Sequence, residues 1–328
     1  MTAPGPLNSI CDVDGIRVGN AEDHDLLTGA TVILPDEPVV AAVDHRGGAI
    51  GSRDTTALAP GSLIETVHAI CLSGGSAFGL DAAGGAMDVL RKAGVGFTFG
   101  GAIVPIVPSA IIFDLMFGPP QEWDKPVWWT LGQQAAAAAE RRFGLGNAGA
   151  GLGATAGLLK GGLGSASVET PHGMIGALAI ANPVGSTVIP GTNVFHGWML
   201  EQNLELGGQR PPDKSAAAPA VHESAQPMTN TTLAVVATDA TLDRNQALRV
   251  AIMAQDGLAA AISPVHSPMD GDTVFVLSTS KRPAPDPTRG LTEIGQHAAN
   301  TVARAIMRGV YAAETLGGFP SYRERHQP

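Results

Sequence analysis

One hydroxyl and two carboxylates stand in contexts that suit acyl transfer. Asn230-Thr231-Thr232 follows a stretch, GGQRPPDKSAAAPAVHESAQPM at 207–228, with almost no bulky apolar residues and several prolines. That composition marks a flexible linker. Immediately afterwards Thr231-Thr232-Leu233-Ala234-Val235-Val236-Ala237-Thr238 reads as a buried strand. A cut between Asn230 and Thr231 would make Thr231 a new N-terminus. Its hydroxyl would be the nucleophile, and its α-amino group, with an ordinary pKa of about 7.7–8.0, would be the base. In that scheme Thr231 first attacks the Asn230 carbonyl, the peptide shifts to an ester, and water opens it. A plain Thr-rich strand start explains the same short string without any chemistry.

Downstream, Met269-Asp270-Gly271-Asp272-Thr273 sets two carboxylates two residues apart at the start of another strand, a spacing that puts both on one face. Such a pair suits holding an ammonium group at Thr231 and orienting its hydroxyl. The competing reading is an Asp-Gly turn before a strand. The segment is too short for a calcium loop. Other motifs fail on context. Gly144-Leu145-Gly146-Asn147-Ala148-Gly149 satisfies GxGxxG but follows an Ala-rich helix instead of a strand. Gly74-Gly75-Ser76-Ala77-Phe78 lacks the last glycine of a nucleophile elbow. His45, His68, His196 and His266 have no metal-ligand spacing, and Cys11 and Cys71 are far apart with no CxxC, so neither a metal, a cofactor nor a disulfide is expected.

The elements that must position these groups follow from periodicity and punctuation. Val32–Leu34 and Val39–Val43 read as strands, and helices are expected from Ser73-Gly74-Gly75-Ser76 through Leu90 and over Leu131–Arg142. Ala93–Phe113 is uncharged but broken by glycines and prolines, which predicts a buried strand and loop, not a membrane helix. Pro119–Trp129 holds three of the four tryptophans and reads as core packing, with apolar cover over a site or an oligomer contact as the alternatives, while Gly144–Gly164 reads as a Gly-rich segment. Ala177–Val184 is expected as a strand. Beyond Thr231 the order is strand, helix Leu242–Ile262, strand Thr273–Ser278 and helix Leu291–Thr315, a β-α-β-α unit. The 328 residues are 44% hydrophobic and 15% charged, enough to bury a large core, and a net charge of −10 without a basic run argues against nucleic acid as a partner. With neither a basic n-region nor an apolar h-region at the N-terminus, the expected location is the cytoplasm.

Several strings together resemble the P1 family of N-terminal-nucleophile hydrolases, with the endo-type 6-aminohexanoate-oligomer (nylon-oligomer) hydrolases the nearest branch. They are Asn230-Thr231-Thr232-Leu233 through Thr238, Ile262-Ser263-Pro264-Val265-His266 leading into Met269–Thr273, Ala181-Asn182-Pro183-Val184-Gly185, His68–Gly75 with Gly79-Leu80, and Ala148–Gly151. The likeness runs from about Gly19 to Tyr311. It implies an α/β fold, a four-layer αββα sandwich formed as one domain over 1–328. It also implies autoprocessing into an α chain 1–230 and a β chain 231–328, and a homo-oligomer of αβ units, a tetramer. By resemblance Thr231 is the nucleophile, Asn230 the residue left at the end of the α chain, Asp270 and Asp272 the paired aspartates, Asn182 an oxyanion donor, and Lys160 the site lysine. Relatives with Ser after Gly are mainly aminopeptidases on D- or β-amino-acid substrates, so Thr231 after Asn favours the oligomer hydrolases. The substrate implied is a short linear amide or peptide. Where relatives carry a tyrosine this chain has Phe113, which cannot donate to an oxyanion and is expected to line the substrate pocket. That departure keeps open a catalytically silent, uncleaved scaffold.

Overall fold

The computed structural model describes residues 2–118, 123–212 and 230–326. Most of the expected linker, 213–228, and residues 119–122 of the tryptophan-rich segment lie outside the described residues. Strands and helices are numbered here in chain order. One sheet has five strands in the order β1 (Ile16–Asp23), β2 (Thr28–Pro35), β6 (Ile70–Ser73), β9 (Ser109–Ile111) and β4 (Ser52–Arg53). The other has six: β12 (Gly162–Thr170), β13 (Gly173–Ala181), β14 (Leu233–Ala240), β15 (Thr273–Arg282), β3 (Val39–His45) and β5 (Thr66–Val67). Two small hairpins, β7–β8 (Phe97–Phe99, Ala102–Val104) and β10–β11 (Thr155–Ala156, Leu159–Lys160), stand apart from them. Helices are α1 (Asp81–Lys92), α2 (Trp128–Ala137), α3 (Arg244–Ala261), α4 (Arg289–Ala312) and α5 (Tyr322–His326).

Alternation along the central strands builds the layers. Leu233, Val235 and Ala237 of β14 and Phe275 and Leu277 of β15 share a core with Ile33, Ile70 and Leu72 of the opposing sheet. The residues between them, Ala234, Val236, Val274 and Val276, face outward into a second core with Val250 and Leu258 of α3 and Val302 and Ile306 of α4. A third core joins Ala82 and Ala86 of α1 and Trp128 and Leu131 of α2 to Ala30, Val32 and Cys71 of the five-stranded sheet. The result is four layers, αββα, as expected. A strand buried on both faces reads as a continuous apolar run, which is why β14 was legible.

The C-terminal β-α-β-α order is found, with α3 opened by a capping box in which Asp243 Oδ1 accepts from Gln246 N (2.8 Å) and Asp243 N donates to Gln246 Oε1 (3.0 Å). Two expectations are corrected. Helix α2 stops at Ala137 despite the alanines beyond it, because Glu140 pairs with Val18 at the edge of β1 (2.9 and 3.1 Å), and tertiary pairing overrides propensity. The Ala93–Phe113 stretch is not uniformly buried: β7–β8 is a surface hairpin with Phe99 76% exposed. The Gly-rich segment runs into strand β12, whose Gly164 lies against the backbone of Ala305 and Gly309, so small residues here allow α4 to approach the sheet closely.

Candidate active site

Topology gathers the sequence-predicted residues at one end of the six-stranded sheet. β14 and β15 are parallel neighbours joined through α3, so their first residues lie side by side. β13 and β3 run antiparallel to them, so Asn182, just after β13, and His45, at the end of β3, reach the same end. The register carries on past the strand starts as a parallel bridge between Asn230 and Asp270.

Thr231 is buried, and its Oγ1 donates to the carbonyl oxygen of Asn230 at 2.6 Å. The Gly271 N–H is shared: it donates to Asn230 O at 2.9 Å and to Thr231 Oγ1 at 3.1 Å. Thr231 N donates to Asn182 O at 2.7 Å, and Asn230 N to Met269 O at 3.0 Å. The peptide carbonyl preceding Thr231 is thus held by one N–H with a hydroxyl beside it. Gly271 has no room for a side chain, since a Cβ would come within 2.6 Å of Thr231 Oγ1 and 2.7 Å of Ala49 O.

Both aspartates are buried close by, and each is turned to its own partners. Asp270 accepts from Val184 N at 3.1 Å and from the backbone and hydroxyl of Ser267. Burial pushes its carboxyl above the usual range, the Ser267 hydroxyl opposes that, and the neighbouring Asp272 adds to it. Asp272 accepts from Thr232 N at 2.8 Å, and from the backbone N (3.0 Å) and Nδ1 (2.8 Å) of His266. Neither carboxylate bonds to Thr231 among the described hydrogen bonds. The pair fixes the walls of the site: Asp270 the chain after Pro183, Asp272 the first residue beyond Thr231.

Asn182 is buried as well. Its Oδ1 accepts from Thr155 N at 2.8 Å, which assigns Nδ2 as the other amide atom, and that donor has no partner among the described residues. An orphaned buried amide N–H carries a desolvation penalty of about 1–3 kcal/mol unless something arrives to accept it. Lys160, paired with Thr155 across the β10–β11 hairpin, is wholly buried and donates to the carbonyls of Gly151 (2.9 Å), Ala154 (2.8 Å) and Gly161 (3.0 Å), with its Nζ 5.3 Å over the Phe117 ring. Burial depresses the ammonium to about 7, with Asp114 pulling it back up. Lys160 is therefore close to Asn182 through Thr155 but bonds to carbonyls rather than to Thr231. Phe113 is half-buried between Ile112 and Asp114 just past β9, and no described hydrogen bond or ring contact joins it to Thr231.

Sequence reasoning passed over three contributors. Gly271 was visible only as the middle of an Asp-Gly-Asp string. Asp114 lies buried opposite Lys160, pushed up to about 6 by burial against the N–H of Gly75 and the hydroxyl of Thr28, and nothing local announces it. His45 meets Thr273 at 2.9 Å across strands more than 200 positions apart in sequence. No group of three or more His, Cys, Asp or Glu among the described residues is placed to hold a metal ion. No described helix is long and apolar enough to cross a membrane.

The sequence signature of peptidase family S58 matches residues 8–323. The chain belongs to peptidase family S58. This S58 hydrolase is 40% identical over 343 residues to a Mycobacterium tuberculosis protein called an uncharacterized aminopeptidase, covering 97% of this chain and 98% of that one. It is 31% identical over 310 residues to the 6-aminohexanoate-oligomer endohydrolase of Paenarthrobacter ureafaciens, covering 90% and 82% of the two chains. Among solved structures, a Burkholderia sp. beta-aminopeptidase superimposes with a TM-score of 0.71 at 22% identity over 98% of this chain and 92% of that one. The L-aminopeptidase D-Ala-esterase/amidase of Ochrobactrum anthropi, described as a new variant among the Ntn hydrolase fold, gives 0.68 at 22% over 97% and 90%. The S58 hydrolase accordingly has the expected Ntn-type fold, and the family is one of amidases and aminopeptidases.

Proposed function

We propose that this S58 hydrolase cuts its own chain after Asn230 and then, as an α chain 1–230 and a β chain 231–328, hydrolyses short linear amides or peptides through an acyl-enzyme on Thr231. The observation that carries the reading is the hydroxyl of Thr231 at 2.6 Å from the Asn230 carbonyl oxygen, with the Gly271 N–H on both. Oγ1 attacks the Asn230 carbonyl carbon, the C–N bond to Thr231 breaks, and the hydroxyl proton ends on the departing nitrogen, which leaves an ester. The α-amine of Thr231 is free from that point, and water opens the ester, releasing the Asn230 carboxylate and regenerating the Thr231 hydroxyl. That amine, held where Thr231 N now meets Asn182 O, takes the hydroxyl proton when a substrate carbonyl is attacked and returns it to the leaving amine. Asn182 Nδ2, buried with no partner among the described residues, is the side-chain donor for the oxygen that becomes negative. Each step uses the chain's own residues and water.

For substrate, the likeness to a 6-aminohexanoate-oligomer endohydrolase supports 6-aminohexanoate oligomers, and the higher identity to a protein named an aminopeptidase supports amino-acid amides and peptides as the second reading. The enzyme is taken as cytoplasmic and as a homo-oligomer, a tetramer of αβ units, which light scattering on the eluted protein measures. Intact-mass analysis tests the central claim. The parent should resolve into two pieces, the smaller about 10 kDa by its share of the length. Thr231→Ala should stay whole and inactive, while Thr232→Ala should still cut. A parent that stays whole after long incubation defeats the reading and leaves the silent scaffold.

A further inference from the structure

We infer that His45 and Thr273 act together as a positioning relay that aims the Gly271 N–H at the reacting carbonyl, making that N–H the second oxyanion donor beside Asn182. The inference rests on the proposed autoprocessing amidase and adds residues to which no role in it has been given. Gly271 lacks a Cβ, so its backbone torsions are the least restrained of any residue, and an N–H on such a residue is aimed only if its flanking peptides are held. Both are held. The peptide before it has its carbonyl, Asp270 O, fixed by Ala49 N at 2.8 Å. The peptide after it has its carbonyl, Gly271 O, fixed by the hydroxyl of Thr273 at 2.9 Å.

The polarity of the relay follows from the donor inventory. The single Thr273 hydroxyl proton goes to Gly271 O, so Thr273 Oγ1 must accept from His45 Nδ1 at 2.9 Å, which makes Nδ1 the protonated nitrogen of that ring. Burial lowers the His45 pKa and favours the neutral ring, and Nδ1 remains a donor in the neutral tautomer and the charged form alike. The supporting loop comes from the same strand end: Arg46 N donates to Asp272 O at 3.0 Å, and Gly47 packs on the Asp270 and Asp272 backbone, where a Cβ would collide. The end of β3 therefore grips residues 270–273 at three successive peptides. What the grip presents is one N–H, shared between the Asn230 carbonyl oxygen and Thr231 Oγ1. After the cut the acyl carbonyl of a substrate takes the place of the Asn230 carbonyl and meets the same donor.

The test compares Thr273→Val, which keeps the shape but loses the hydroxyl, with Thr273→Ser, which keeps the hydroxyl. Self-cleavage is followed by intact mass, and kcat and KM are measured on the processed fraction with an amino-acid amide and a 6-aminohexanoate oligomer. Thr273→Val should slow cleavage and lower kcat by about 10²-fold, the scale of a misaimed catalytic group, with KM little changed, and Thr273→Ser should recover most of both. His45→Ala should shift the same two quantities in the same direction, and it carries the test if Thr273→Val does not accumulate as a folded protein. Parental behaviour of Thr273→Val, or equal loss in Thr273→Ser and Thr273→Val, overturns the relay. A parent that never cuts, or a Thr231→Ala chain that still does, overturns the proposed function itself, and that result is read before any Thr273 variant is compared.

Discussion

Each sheet contains one parallel strand pair with a helix in the connection, β6–α1–β9 in one and β14–α3–β15 in the other, and the two pairs gather polar groups at opposite ends. At the far end of β6 and β9 the Gly75 N–H is given to a carboxylate, Asp114 (2.6 Å), and the arrangement is closed. At the starts of β14 and β15 the Gly271 N–H is given to a peptide carbonyl with a hydroxyl beside it, and the Asn182 amide N–H has no acceptor among the described residues. The β10–β11 region stands between the two, with Lys160 facing Asp114 and Thr155 facing Asn182. Free backbone donors at strand ends are common to both. What differs is the acceptor, a carboxylate at one end and a peptide carbonyl with a hydroxyl beside it at the other, and only the second is what the proposed self-cleavage needs.

The sharpest way to break the comparison is Gly271→Ala. Its methyl would displace Thr231 Oγ1, and self-cleavage should fall by at least the 10²–10³-fold typical of a lost oxyanion donor, read by intact mass over time. Normal cleavage would mean the Gly271 donor is not part of the machinery. Asn182→Ala removes an amide N–H that has no partner among the described residues and should lower kcat by about 10²-fold or more; an unchanged kcat would give Nδ2 no part in the reaction. Asp272→Asn sacrifices charge-assisted bonds to Thr232 and His266, and a loss of about 1.5–3 kcal/mol in urea unfolding with slower processing is expected. Parental values for both would reduce Asp272 to an Asp-Gly turn.

The other end of the comparison is sharpened by pH. Lys160 is depressed from 10.5 to about 7, so between those values the unfolded chain holds a proton that the folded chain has lost, and stability from this group rises with pH across that window. Asp114, raised from 3.8 to about 6, does the reverse: stability from it falls as pH rises from about 4 to 6. Lys160→Met should abolish the rise, so the Tm difference between pH 7 and 9 should shrink by a few degrees relative to the parent. Parallel Tm curves would mean that the ammonium is not strained by burial. The smallest effect is expected from Phe113→Tyr, which offers a phenol near Asp114 and should raise kcat with KM steady if the phenol reaches the reacting oxygen. A fall in kcat, or a change in KM alone, would place Phe113 in the substrate pocket.

The β14 strand, which begins at Leu233, two residues later than the run from Thr231 suggests, and the β-α-β-α unit it opens were legible because burial on both faces writes a continuous β-branched run and helices write a period of 3.6. Asn230, Thr231, Asp270 and Asp272 were nameable for the same reason: each sits at the edge of a segment that local pattern marks. Pattern misjudged the ends of α2 and the exposure of β7–β8, where a distant pairing with Val18 and the absence of covering layers decide. It was silent on direction. Only the parallel pairing of β14 with β15, and the antiparallel return of β13 and β3, brings Thr231, Gly271, Asn182 and His45 to one place, because register between strands is set by packing of whole faces and leaves no local mark in the chain. The sequence by itself determined which groups were available for chemistry. The tertiary structure decided which backbone N–H they share, since every residue but proline carries one and position alone makes it matter.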